Sequence, residues 1–99
     1  MKADKRYSVV LTKTVKNELE KFPKNLKERF HQTIRGLADN PFEGERLTGK
    51  LKGMRSLRVG HRHRVVYKVE GDKKEVIIIA VGPRGKIYNE IGRYMKAIK

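Results

Sequence analysis

The chain of 99 residues carries 25 Lys or Arg against 11 Asp or Glu, a formal net charge of +14 with His taken as neutral. A chain of this length has room for one small core that buries roughly two thirds of the surface its unfolded form exposes, which excludes a second domain or a large enclosed cofactor cavity and predicts a single domain over residues 1–99. The absence of Cys excludes a disulfide framework, a thiolate zinc site and a thiol nucleophile, and 37% hydrophobic residues with four Tyr and three Phe exclude a disordered basic tail.

Charges at the N-terminus are followed by no apolar stretch suited to a signal peptide, and no run approaches the ~20 apolar residues of a membrane span. A soluble, cytoplasmic protein with no membrane partner is expected. Tyr7 to Leu11, short and rich in β-branched residues, predicts a strand. Thr12 or Thr14 then caps a helix in which Val15, Leu19 and Phe22 recur at helical spacing up to Pro23. Asn25, with Glu28 in the capping-box position, opens a second helix whose buried stripe is Leu26, Phe30, Ile34 and Leu37, and Asn40-Pro41 stops it. Helices joined by so short a break form an antiparallel hairpin that needs a sheet to cover.

Phe42 to Gly53 is a loop by its Gly and charge content. Beyond it the period changes to two: Leu57 and Val59 alternate with Ser56 and Arg58, and His63, Val65, Tyr67 and Val69 alternate with Arg62, Arg64, Val66 and Lys68. Gly71-Asp72 makes a turn, and Val76 to Val81 is apolar at every position, as in a strand covered on both faces. Gly82-Pro83-Arg84-Gly85 breaks that strand, and Ile87, Ile91, Tyr94 and Ile98 recur at helical spacing in a short terminal helix, the most detachable element. The expected fold is α+β: an N-terminal strand, a helical hairpin and a three-stranded antiparallel meander completing a four-stranded sheet, with helices packed on one face.

The charge is uneven. Residues 1–49 hold 11 basic and 7 acidic side chains, a net +4, whereas residues 50–99 hold 14 and 4, a net +10. Lys50 to Arg64 contains Lys50, Lys52, Arg55, Arg58, Arg62 and Arg64 with His61 and His63 and no acid. Scattered lysines commonly form no more than a solvated surface, but an arginine-rich block suits a polyanion, because its planar forks match phosphate oxygens and contact releases counterions. Composition alone fits a non-catalytic RNA-binding protein of ribosomal type.

Alternation places Arg58 and Arg64 on the side of the sheet away from Val65 and Tyr67, with Arg84 just past the next strand. Converging guanidinium groups can hold a phosphodiester and stabilise the extra negative charge of a pentavalent phosphorane. Tyr88, at a loop-to-helix junction, can stack on a base. His63 falls on the core side and is a packing residue, while His61, at the Gly60 turn, is the better candidate of the two for a general base. Glu43 and Glu45 are solvated loop residues unless they help at the site. Gly82-Pro83-Arg84-Gly85 lacks the Gly-Lys-Ser/Thr ending of a phosphate loop, and no metal-ligand set accompanies the histidines, so neither a cofactor nor a metal is expected.

Leu51-Lys52-Gly53-Met54, Leu57-Arg58-Val59-Gly60, Arg64-Val65-Val66-Tyr67, Val81-Gly82-Pro83-Arg84 and Ile87-Tyr88, taken in order, resemble the RelE/ParE toxin superfamily, RelE-like branch. The resemblance implies a toxin of a type II toxin–antitoxin system, a ribosome-dependent endoribonuclease that cuts mRNA in the A site. The ribose 2′-hydroxyl would attack the adjacent phosphate and leave a cyclic phosphate and a 5′-hydroxyl. It assigns Arg64 to the scissile phosphate, Arg84 to the leaving oxygen and Tyr88 to the substrate base. Of a basic pair on the preceding strand, Arg58 takes one place, but Ser56 stands where a base-supplying lysine is expected, so Lys52 is the nearest substitute. Lys50, Arg55, His61, Arg62 and Lys86 are expected RNA contacts. An acidic, RelB-like antitoxin in a hetero-oligomer is implied as partner, together with the ribosome and mRNA. A ParE-like inhibitor of DNA gyrase is the alternative within the superfamily.

Overall fold

The computed structural model describes residues 6–97. Strand β1 (Ser8–Leu11) leads into helix α1 (Lys13–Glu20), and helix α2 (Lys24–Gly36) follows after a short break. Strand β2 (Glu45–Arg46) and a 3-10 turn (Gly49–Leu51) precede the meander of β3 (Arg55–Val59), β4 (His63–Glu70) and β5 (Glu75–Pro83), and helix α3 (Ile87–Ala97) closes the chain. The sheet order is β1-β5-β4-β3-β2, with β1 parallel to β5 and the other pairs antiparallel. Among the described residues no helix is long and apolar enough to cross a membrane.

Local chemistry sets the helix starts. Thr12 is the N-cap of α1, its Oγ1 accepting from the Val15 N–H at 3.1 Å. The capping box expected at Asn25 does not form: the helix starts at Lys24 behind Pro23, so Asn25 falls inside the first turn and no side chain caps it.

Burial divides the core in two. Val15, Leu19, Phe30, Ile34 and Leu37 of the hairpin pack against Val59, Val65, Tyr67, Val76, Ile78 and Val81 on one sheet face. On the other, Ile87 and Ile91 of α3 pack against Met54, Val66, Ile79 and Ala80. The helices therefore cover both faces, not one, which is why β5 is apolar throughout. A β-bulge interrupts the alternation: Val66 pairs with Ala80 but Tyr67 with Ile78, so the consecutive Ile79 and Ala80 both face α3. Helix α3, with 11 residues against 8 in α1, is not short, and two isoleucines at 0% and 1% exposure anchor it. Ile98, expected in its apolar stripe, lies outside the described residues.

The sheet has five strands instead of four. The segment expected to be entirely loop contributes β2, with Glu45 paired to Ser56 and Arg46 to Arg55. Glu and Arg have little intrinsic strand preference, so nothing local marks β2; its pairing with β3 creates it. Strand β5 also runs through Gly82 to Pro83, beyond the break expected at Gly82. Pro83 is tolerated there as the last residue of the strand.

Candidate active site

Cross-strand register gathers the arginines. Arg58 pairs directly with Arg64, and Arg64 pairs on its other side with Gly82. The extension of β5 continues this ladder, because the Arg84 N–H donates to the Arg62 carbonyl at 2.8 Å. Paired residues share a face, so Arg58 and Arg64 lie on the α3 side of the sheet, with Arg84 in the turn just past the end of β5, whereas Arg62 lines a cavity with Asn25, Leu26 and Arg29 of α2. Like charges directly opposed across strands are destabilising. Among the described residues no carboxylate comes within ion-pair distance of Arg58, Arg64 or Arg84. A cluster of uncompensated guanidinium groups with a stability cost is what an anion-binding surface requires.

One of these groups is oriented by the protein. Arg64 Nη1 donates to Ser56 Oγ at 2.9 Å, and Ser56 is buried, at 5% exposure. A cavity of about 290 Å³ beside this bond is lined by Glu43, Glu45, Ser56, Leu57, Arg58 and Arg64. The register of β2 with β3 puts Glu45 beside Ser56 on the same face. Neither Glu43 nor Glu45 is ion-paired among the described residues. Arginines for a phosphate and unpaired carboxylates for a proton thus share one small cavity.

The other expected residues divide between the site and its margins. Tyr88, 55% exposed, stands in the first turn of α3 next to the buried Ile87, with Lys86 exposed before it. Lys52 lines a separate cavity of about 590 Å³ with Arg46, Phe42 and Arg55, away from the one that Arg58 and Arg64 line. Lys50 is exposed on the 3-10 turn. Arg55 turns to the backbone: its Nη1 donates to the Gly44 carbonyl at 2.8 Å and the Phe42 carbonyl at 3.2 Å, and its guanidinium lies 5.1 Å from the Phe42 ring centroid. His61 and Arg62 are exposed and line a third cavity, whereas the His63 ring meets Phe22 and Phe30 edge-on at 5.7 and 5.9 Å as a packing residue.

Two placements become visible only in the fold. Ser56 shows its role only once Arg64 is placed diagonally across from it, and Glu45 joins the site only through β2. The one sequence signal for the second was a pair of acids, Glu43 and Glu45, one residue apart in the loop before the basic block.

Residues 9–88 match the family model for the ParE toxin of type II toxin–antitoxin systems. No curated protein matches the sequence significantly. Among solved structures, the chain is similar to a chain of the RelBE2 toxin–antitoxin complex of Mycobacterium tuberculosis, with 26% identity, a TM-score of 0.72, and coverage of 80% of this chain and 99% of that one. It is similar to a chain of the archaeal RelE–RelB complex of Pyrococcus horikoshii, with 27% identity, a TM-score of 0.66, and coverage of 82% and 98%. A mutant form of the E. coli toxin RelE in the free state shares the fold, with a TM-score of 0.77 at 20% identity over 95% of this chain and 99% of that one.

Proposed function

The chain belongs to the ParE toxin family of type II toxin–antitoxin systems, and from that membership and its arginine face we propose that it is a ribosome-dependent endoribonuclease that cuts mRNA in the A site. The observation that supports this reading is the meeting of Arg58, Arg64 and the carboxylates of Glu43 and Glu45 in one cavity, with Arg84 in the turn that follows β5 at the same end of the ladder. Family membership sets aside the ribosomal-type binding protein that composition alone favours.

In the proposed reaction Arg64, held by Ser56, binds the scissile phosphate, and Arg58 holds its neighbour. The 2′-oxygen forms a bond to phosphorus while its proton passes to Glu45. The bond from phosphorus to the 5′-oxygen breaks, and Arg84 offsets the charge on that leaving oxygen. Tyr88 stacks on the substrate base. An arginine stays protonated and is a poor base, and Lys52 opens onto the neighbouring cavity, where its charge holds the RNA backbone. Lys50, His61, Arg62 and Lys86 are exposed cations that add docking charge against ribosomal RNA. The proposed partner in the cell is an antitoxin, as in the RelBE2 and RelE–RelB complexes whose chains this one resembles, with acidic character to match the net charge of +14, and the site of action is the cytoplasm.

Mapping of mRNA ends in a translating extract tests the proposal. Wild type gives codon-associated cuts, and Arg64→Ala and Arg84→Ala each lose about a hundredfold or more in rate. The name of the matched family favours DNA gyrase as the second reading. Blocked supercoiling with intact mRNA would select it and remove the nuclease.

A further inference from the structure

Gly44 separates the two carboxylates of the site, and the sheet grips it from the side opposite to them. The Gly44 N–H donates to Tyr67 Oη at 2.8 Å, and Arg55 holds the Gly44 and Phe42 carbonyls at 2.8 and 3.2 Å. Arg55 and Tyr67 are themselves a cross-strand pair, so both clamps come from one place on the sheet. The fit is tight: a Cβ at position 44 would meet the Ser56 carbonyl and Tyr67 Oη, each at 2.8 Å.

Tyr67 is 0% exposed, and its neighbours Val65, Ile78 and Phe30 are apolar. A Phe would fill the same volume without burying a hydroxyl, a group whose burial is unfavourable unless it is bonded. The bond to Gly44 is the hydroxyl's use. With Gly44 held against Arg55 and Tyr67, the chain bends there and Glu43 and Glu45 both line the cavity that Arg58 and Arg64 line. The placement is delicate, because a carboxylate that swung onto Arg64 would compete with the phosphate, and one that swung out would leave the 2′-hydroxyl without an acceptor.

We propose that Tyr67 and Arg55 are positioning residues of the nuclease site, which clamp Phe42–Gly44 so that Glu43 and Glu45 face Arg58 and Arg64. This inference rests on the proposed function for its consequence in catalysis, but the clamp itself can be tested without any cleavage.

The first measurement follows carboxyl carbon resonances in the full chain, in wild type, Tyr67→Phe and Arg55→Gln. The resonances of Glu43 and Glu45 move in both variants while those of Glu18 and Glu70 stay. If Tyr67→Phe fails to fold, Arg55→Gln, at the first residue of β3, carries the test. Resonances of Glu43 and Glu45 that stay in place overturn the clamp, even should wild type prove not to cleave mRNA. The second is a double-mutant cycle on cleavage. Tyr67→Phe lowers the rate about tenfold with KM for programmed ribosomes little changed, and adds nothing in a Glu45→Gln background, because it acts through that carboxylate. Rates that multiply across the two substitutions, or a Tyr67→Phe chain that cleaves like wild type, refute the positioning role. A protein that cleaves nothing in wild-type form defeats the nuclease reading and leaves the clamp to the resonances.

Discussion

Arg64 reaches diagonally across two strands to the hydroxyl of Ser56, Nη1 to Oγ, at 2.9 Å. The residue standing where the superfamily resemblance leads one to expect a basic side chain therefore orients the arginine assigned to the scissile phosphate. Ser56→Ala removes one charge-assisted hydrogen bond at a half-buried guanidinium, about 1.4 kcal/mol, and frees Arg64 to sample other rotamers. The expected result is a cleavage rate about tenfold lower, with the thermal midpoint lowered by several degrees. Equal rates for Ser56→Ala and wild type would show that Arg64 finds the phosphate unaided.

Gly44 and Gly36 should respond oppositely to alanine. A Cβ at Gly44 meets a backbone carbonyl and the buried Tyr67 hydroxyl, each at 2.8 Å, and neither can retreat. Overpacking of this kind costs about 1–3 kcal/mol, more than the ~0.4–1 kcal/mol gained by restricting the unfolded chain. At Gly36, the last residue of α2, nothing lies within 4 Å of the added carbon, so only the gain remains. Denaturation midpoints should fall for Gly44→Ala and rise for Gly36→Ala. A shift of both in one direction would mean that the close approach at Gly44 is relieved elsewhere.

Thr12→Ala removes the N-cap of α1 and leaves the Val15 N–H without its acceptor. The expected loss is about 1 kcal/mol, recovered by Ser or Asp at the same position. Because Val15 and Leu19 of α1 lie in the main core, the loss should register in global unfolding and not only as local fraying. Urea titration of the three variants measures it.

These contrasts show which parts of the molecule were legible in the sequence. Alternation along β4 correctly separated Val65 and Tyr67 from Arg64 and Val66, because side-chain direction in a strand is fixed by parity alone. The cap at Thr12 is equally local. Strand β2 and the inward turn of Arg55 depend instead on partners distant in sequence: Arg55 finds carbonyls 11 and 13 residues away. In a sequence that side chain is simply one more cation. The bulge at Ile79, which turns both Ile79 and Ala80 toward α3, is revealed by no alternation pattern in an all-apolar strand. Glu43 and Glu45 were two acids in a loop, and only the fold brings both to the cavity of Arg58 and Arg64.

The buried hydroxyl of Tyr67 also predicts how stability changes in alkali. Burial raises its pKa above the ordinary value of 10.0, and the neighbouring Glu43 charge acts in the same direction, against the smaller lowering effects of the Gly44 N–H and the Arg55 guanidinium. Below that ordinary value both folded and unfolded chains hold the phenol proton, and its contribution to stability does not vary. Above it the unfolded chain ionises first while the folded chain keeps its proton, so rising pH favours unfolding, by at most about 1.4 kcal/mol per pH unit for this one group. Lysines titrate in the same range but do so in wild type and Tyr67→Phe alike. Unfolding free energies taken from about pH 9 to about pH 11 should therefore fall more steeply for wild type than for Tyr67→Phe, and the gap between the two proteins should narrow as pH rises. Parallel curves would mean that ionised Tyr67 is accommodated in the fold, with Arg55 close enough to stabilise the phenolate in place.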